Sequence, residues 1–281
     1  MISLILGVQQ LTTWIGDSLH HRREAATHVA LARQQASRGA FADAWASLDR
    51  ADALQPGEPV DSARVEIAFS WLEEARPGPG RPFSVITDAV TPALDRSLLN
   101  ARGARRADLL AHLGWATFLR SRDGVPGDPA SRYREALSLN SRNVYANAML
   151  GHWLMWSGSD IESAREPFKV ALAEAGEKRP FVRRLQIAAL ANRGSAADAE
   201  LLRVADEMRQ EGEPLESSLA DRVFRIFTIR YGAGAAPADV DAGIPAANLE
   251  ATYEWVVKKS SVAGRSADVD SVRKRIRRAA S

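Results

Sequence analysis

Residues 25–57, AATHVALARQQASRGAFADAWASLDRADALQPG, read as two helices joined by a tight turn. Leu31 and Ala32 lie in the first helix. Gly39 ends it in the Ser-Arg-Gly-Ala-Phe turn, where glycine supplies a left-handed exit. Ala44, Leu48 and Ala51 recur at helical spacing in the second helix, and Pro56 stops it. Small side chains at Ala32, Ala44 and Ala51 let the two helices approach closely. Leu31, Phe41, Leu48 and Leu54 are expected to fill the space between this hairpin and its neighbours.

The same punctuation recurs along the chain. A unit at 107–143 carries Leu110 and Leu113-Gly114, an Asp123–Asp128 insertion rich in Gly and Pro, then Tyr133, Ala136 and Leu139. The next, 144–178, carries Leu150-Gly151, Gly158 in its turn, then Ala164, Phe168 and Ala171; its Leu-Gly pair follows the first by 37 residues. A fourth, 180–212, keeps Gly194 and Ala199 but lacks the Leu-Gly pair. The stretch 61–104 is divergent, with a helix through Trp71, a Pro77–Pro82 loop and a helix containing Pro92. Strand signals are scarce: four Tyr, eight Phe, and no Asn-Gly or Asp-Gly turn except Asp123-Gly124.

This repetition resembles the tetratricopeptide repeat (TPR), whose unit is a helical hairpin of 34 residues. The resemblance covers 25–212 with gaps. It implies an all-α fold, a degenerate α-solenoid of stacked antiparallel helical hairpins wound as a right-handed superhelix, with units at 25–58, 61–104, 107–143, 144–178 and 180–212. Residues 213–281 would cap the array with two helices, 247–259 and 267–279, and a basic tail, since terminal repeats must meet solvent. Gly232–Pro237 and Asp239–Gly243 read as a loop.

The resemblance also implies a concave groove lined by the first helix of each hairpin. That places Ala111, Trp115 and Phe118, then Tyr145, Ala148, His152 and Met155, in the groove. Val29 and Arg33 join from the first unit, and Arg184 and Ala188 from the fourth. The expected occupant is a peptide or amphipathic helix of a partner protein, anchored on Trp115, Tyr145 and Met155. The alternative is that these side chains are buried between hairpins, or covered by the N-terminal helix. The Lys and Asn residues with which some family members clamp a terminal carboxylate are missing here.

Composition narrows the chemistry. The chain has 281 residues, no cysteine, and a net charge of +2 from 37 basic and 35 acidic residues. Thiol nucleophiles, disulfides, zinc fingers and iron–sulfur clusters are excluded, and a generally cationic nucleic-acid glove does not fit, so nucleic acid is not expected as a partner. Gly232-Ala-Gly234 lacks the Lys-Ser/Thr of a phosphate loop, and no Gly-x-Ser-x-Gly elbow occurs. His21, Glu24 and His28 share a helix face, but without the paired i, i+4 histidines of zinc hydrolases. No catalytic residue, metal or cofactor is expected. Oligomeric state is not legible.

Residues 1–24 read as a leading amphipathic helix, with Leu4, Val8, Leu11, Ile15 and Leu19 on one face and a basic His20–Arg23 cluster after it. It either packs on the first repeat or touches a membrane surface through residues 1–23. Arg273–Arg278 carries five cations in six residues, suited to a helix C-terminus or to a phosphate surface. The leading expectation is a non-catalytic cytoplasmic protein–protein interaction scaffold. The alternatives are a membrane-surface adaptor and the regulatory subunit of an enzyme.

Overall fold

The computed structural model describes residues 2–76, 82–158, 160–232, 244–265 and 268–280; of residues 2–18, 246, 265, 279 and 280 it describes the backbone alone. The expected apolar face of Leu4, Val8, Leu11 and Ile15 therefore lies outside the described side chains. So does most of the Pro77–Pro82 loop, and nearly all of the loop after Gly232. Among the described residues the fold is all-α, with thirteen α-helices and no strand. They are α1 (Ile2–Ser37), α2 (Phe41–Leu54), α3 (Glu58–Glu74), α4 (Ser84–Asn100), α5 (Gly103–Arg122), α6 (Pro129–Leu139) and α7 (Val144–Trp156). There follow α8 (Ile161–Glu174), α9 (Arg179–Ala191), α10 (Asp198–Gln210), α11 (Ser217–Tyr231), α12 (Ala246–Lys259) and α13 (Val269–Ala280). The chain divides into two compact units, one of residues 1–153 with 166–183, the other of residues 154–165 with 184–281.

In the first unit, α1 and α2 form a hairpin around Gly39, whose φ of 76° lies in the left-handed region. Ala32, Ala44, Leu48 and Ala51 are fully buried, with Phe41, Trp45 and Leu54 packed against them. Leu31 differs from the sequence expectation and is exposed. One residue is 100° of helical rotation, so turning Ala32 onto α2 turns Leu31 away from it. The expected boundary between residues 24 and 25 also disappears, because α1 is continuous. Its 36 residues span about 54 Å against about 21 Å for the 14 residues of α2, so the N-terminal part of α1 lies beyond the reach of α2.

The hairpins that follow close on glycine. At Gly114 on α5, a β-carbon would stand 2.6 Å from the Tyr133 ring of α6; at Gly151 on α7, one would stand 2.9 Å from the Phe168 ring of α8. Both rings are buried, so each Leu-Gly pair marks a point where helices meet ring against backbone. Gly114→Ala is accordingly expected to destabilise by about 1–2 kcal/mol. Overpacking costs about 1–3 kcal/mol, and alanine's better helix propensity returns part of it. Urea unfolding measures this, and an unchanged midpoint would mean that the Tyr133 ring can withdraw.

Neighbouring helices are also tied by charge. Arg64 of α3 is buried, pairs with Asp49 at 2.9 Å and Asp52 at 3.4 Å on α2, and lies over the Trp45 ring. The backbone N–H of Ser84, which opens α4, donates to Asp123 Oδ2 at 2.7 Å.

In the second unit, Asp206 of α10 accepts from Arg209 and Gln210 on its own helix and from Thr252 and Asn248 on α12. Asp221 of α11 takes the hydroxyls of Ser260 and Ser261, and these bonds, with backbone N–H donors, hold its carboxyl at about 2. The region beyond residue 213 contributes three helices, where two were expected. The 213–231 stretch carries Leu219, Val223, Phe224 and Phe227 at helical spacing, and these bury as α11. The basic tail is largely paired within this unit: Arg273 with Glu254 and Arg277 with Glu250, both on α12, while Arg275 donates to the Gly232 carbonyl.

Candidate functional site

Of the eleven residues expected to line a groove, seven are buried, Val29 of α1 among them. Ala111, Trp115, Phe118, Ala148 and His152 lie in the first unit and Met155 in the second; Trp115, the most exposed of them, keeps 7% of its surface. The alternative reading, burial between helices, is what the structure gives at these positions. The reason lies in α5, whose buried residues include the unbroken run Leu109 to Ala116. Eight consecutive residues cover every side of a helix, so the middle of α5 is enclosed all round. Trp115 and Phe118 instead meet His152 of α7 edge-on, each with ring centroids 5.1 Å away, and the Trp115 indole N–H donates to the Leu72 carbonyl at 3.0 Å. Tyr145, Arg33 and Arg184 keep partial or full exposure.

Tyr145 belongs to a polar and aromatic ladder across the odd-numbered helices of the first unit. Phe69 of α3 stacks on His112 of α5 at 3.6 Å, His112 meets Tyr145 of α7 at 4.5 Å, and Tyr145 meets Phe181 of α9 at 5.9 Å. His112 faces two acceptors, the Asp108 carbonyl at 2.7 Å from Nδ1 and Glu73 Oε1 at 3.2 Å from Nε2. Glu73 also pairs with Lys178 at 3.6 Å, and Asn143 donates to Asp108 at 2.6 Å.

The titrations follow from these contacts. Burial acts to raise the Glu73 carboxyl, but the His112 hydrogen bond and the Lys178 ammonium outweigh it and hold the carboxyl below its ordinary range. Burial raises Asp108 against the opposing Asn143 bond. Tyr145 is raised by burial and by the charge of Glu73. Lys178 is pulled down by desolvation but ends raised, because Glu73 and Tyr145 favour its charged form. Each acid is thus engaged by a neighbour. The network ties α3, α5 and α7 together and presents no activated nucleophile among these residues.

Two of the cavities among the described residues are open to solvent. One, of about 580 Å³, runs beside α1 where α3 begins. Ala25, Ala26, Val29 and Ala30 form its α1 wall, Pro59 and Val60 face them, and Arg22 and Arg33 stand near its ends. Eleven residues along a helix return to nearly the same side, so Arg22 and Arg33 share a face about 16 Å apart. Arg33 pairs with Glu66 of α3 at 3.1 Å across an exposed contact. The second cavity, of about 1060 Å³, lies between the α1–α2 turn, the end of α3 and the start of α4, with Phe41, Trp71 and Phe83 in its walls.

Arg33 and Val29 are the residues of the expected groove that line the cavity beside α1. Glu73, Phe83 and the small-residue wall Ala25-Ala26-Ala30 were missed. The wall was visible as alanines at helical spacing next to a Pro-Gly stop. Glu73 and Phe83 flank a Gly/Pro loop and carried no pattern of their own. Among the described residues no group of three or more His, Asp or Glu side chains could hold a metal ion, and Glu24 pairs with His20. No described helix is long and apolar enough to cross a membrane. Compared with protein-family models, curated proteins and solved structures, the chain matches none.

Proposed function

We propose that this chain is a non-catalytic protein-interaction scaffold, a degenerate TPR-like α-solenoid that holds a helix or peptide of a partner protein in the groove beside α1. The stacking is supported by contacts that skip one helix. Arg33 reaches Glu66, Phe69 reaches His112, His112 reaches Tyr145 and Tyr145 reaches Phe181, each joining the first helix of one pair to that of the next. The reading is carried by one observation: the open apolar groove of about 580 Å³ whose wall is small residues, flanked by Arg22 and Arg33. Small side chains admit a helix backbone closely, and the two arginines favour acidic residues about three turns apart on the occupant.

The experiment is selection of displayed random peptides on the full chain, followed by titration of the synthesised winners. Ala26 is exposed, so Ala26→Trp fills the groove without entering the core. Winners are expected to be amphipathic with acidic flanks and to lose at least about tenfold in affinity on Ala26→Trp, about 1.4 kcal/mol. Equal affinity for both proteins would remove the groove from the proposal.

A further inference from the structure

We propose that the larger cavity is a separate site that takes a basic peptide segment, seating the stem of an Arg or Lys side chain on Trp71 with its cation between Asp43 and Glu74. The cavity holds about 1060 Å³ and is walled by Phe41 and Trp71, whose rings lie 12° from parallel with centroids 6.1 Å apart, and by Phe83. Long cationic side chains suit such walls, because an apolar stem lies along the rings while the charged head stays at the mouth. Guanidinium over an aromatic face is already the habit of this region. Arg64 lies over Trp45 at 5.4 Å, and Arg122 over Phe83 at 5.9 Å. No described cation lies over Phe41 or Trp71.

Charge at the cavity points the same way. Its lining holds Asp43, Glu73 and Glu74 against Arg76, with Arg122 over the Phe83 wall. Glu73 is engaged by His112 and Lys178 behind the wall. Glu74 pairs with Arg76 at 3.3 Å, with both side chains half exposed, and Arg76 also donates to the Glu73 and Ala75 carbonyls; an exposed ion pair of this kind is worth little. Asp43 has no described cationic partner. Its place in the first turn of α2 suits the helix dipole, which explains the carboxylate but not the aromatic walls beside it.

Labelled acetyl-(Gly-Arg)4-amide, acetyl-(Gly-Glu)4-amide and acetyl-(Gly-Leu)4-amide are the probes, titrated into the full chain by fluorescence anisotropy. The Arg peptide is expected to bind, to weaken as salt rises, and to lose at least about tenfold in affinity in Trp71→Ala and in the double variant Asp43→Asn, Glu74→Gln. Ala26→Trp in the other groove is expected to leave it unchanged, so failure here and failure of the α1 groove are separable. Thermal unfolding checks that Trp71→Ala is folded; if it is not, the double variant decides, since both its positions are exposed. Equal binding of the Arg and Glu peptides, preference for the Leu peptide, or undiminished binding in the double variant would overturn the assignment.

Discussion

Trp115→Ala is expected to lower the free energy of unfolding by about 3–5 kcal/mol, the range for removing a buried indole. The side chain keeps 7% exposure, packs against Phe118 at 4.8 Å and His152 at 5.1 Å, and donates to the Leu72 carbonyl on α3. Truncation opens a cavity between α3, α5 and α7 and removes that hydrogen bond. The loss is one of stability, not of a contact with a partner. Below its lowered melting temperature the variant should bind groove-selected peptides as the parent chain does. Denaturant unfolding and peptide titration on the same sample separate the two. A folded Trp115→Ala that had lost peptide binding would return this residue to the binding surface that the repeat pattern implied.

Acidification is expected to draw about 3 kcal/mol of stability from His152 alone between pH 7 and pH 4. Burial, reinforced by the charge of Arg122, lowers this imidazole from its ordinary 6.5 to about 4, and its Nδ1 is buried with no hydrogen-bond partner among the described residues. Between those two values the unfolded chain binds a proton that the fold refuses. Stability therefore falls as pH drops from about 6.5, at up to about 1.4 kcal/mol per pH unit, and levels off below about 4. The carboxyl of Glu73, held low in the fold, adds a loss of the same sign at lower pH, while Asp108, held high, opposes it. Comparison with His152→Leu, which cannot titrate, isolates the imidazole. The parent chain should lose about 3 kcal/mol more than the variant over this range, and parallel losses would mean that the ring is solvated or charged in the fold.

The ring positions also show how far the repeat pattern could be read. Leu113-Gly114 and Leu150-Gly151 were legible as close-contact points because the requirement is local: a glycine on a helix face admits a partner ring, and Tyr133 and Phe168 follow at the next helix. Gly39 was legible for a similar reason, since its turn needs a backbone that other residues resist. Which side of α5 would remain open was not legible. Helical spacing ranks faces by polarity, and the stretch Leu109 to Ala116, with only His112 polar among its side chains, gives no ranking. Leu31 failed in the opposite sense, an apolar side chain one residue out of phase with the contact. The Glu73–His112–Lys178 network joins residues far apart in the chain, each of which looks like an ordinary charged or polar residue on its own helix.

From residues alone followed most of the helices, α11 excepted, with their turns and the places where two of them touch, because these depend on the chain within reach of a single hairpin. Tertiary structure alone decided which aromatic side chains are enclosed and which border open space. Exposure is a property of what packs from outside the hairpin, through contacts that skip from α3 to α5 to α7. The groove at Arg33 and the cavity at Trp71 exist because α3 begins beside the middle of α1, and α4 opens beside the α1–α2 turn.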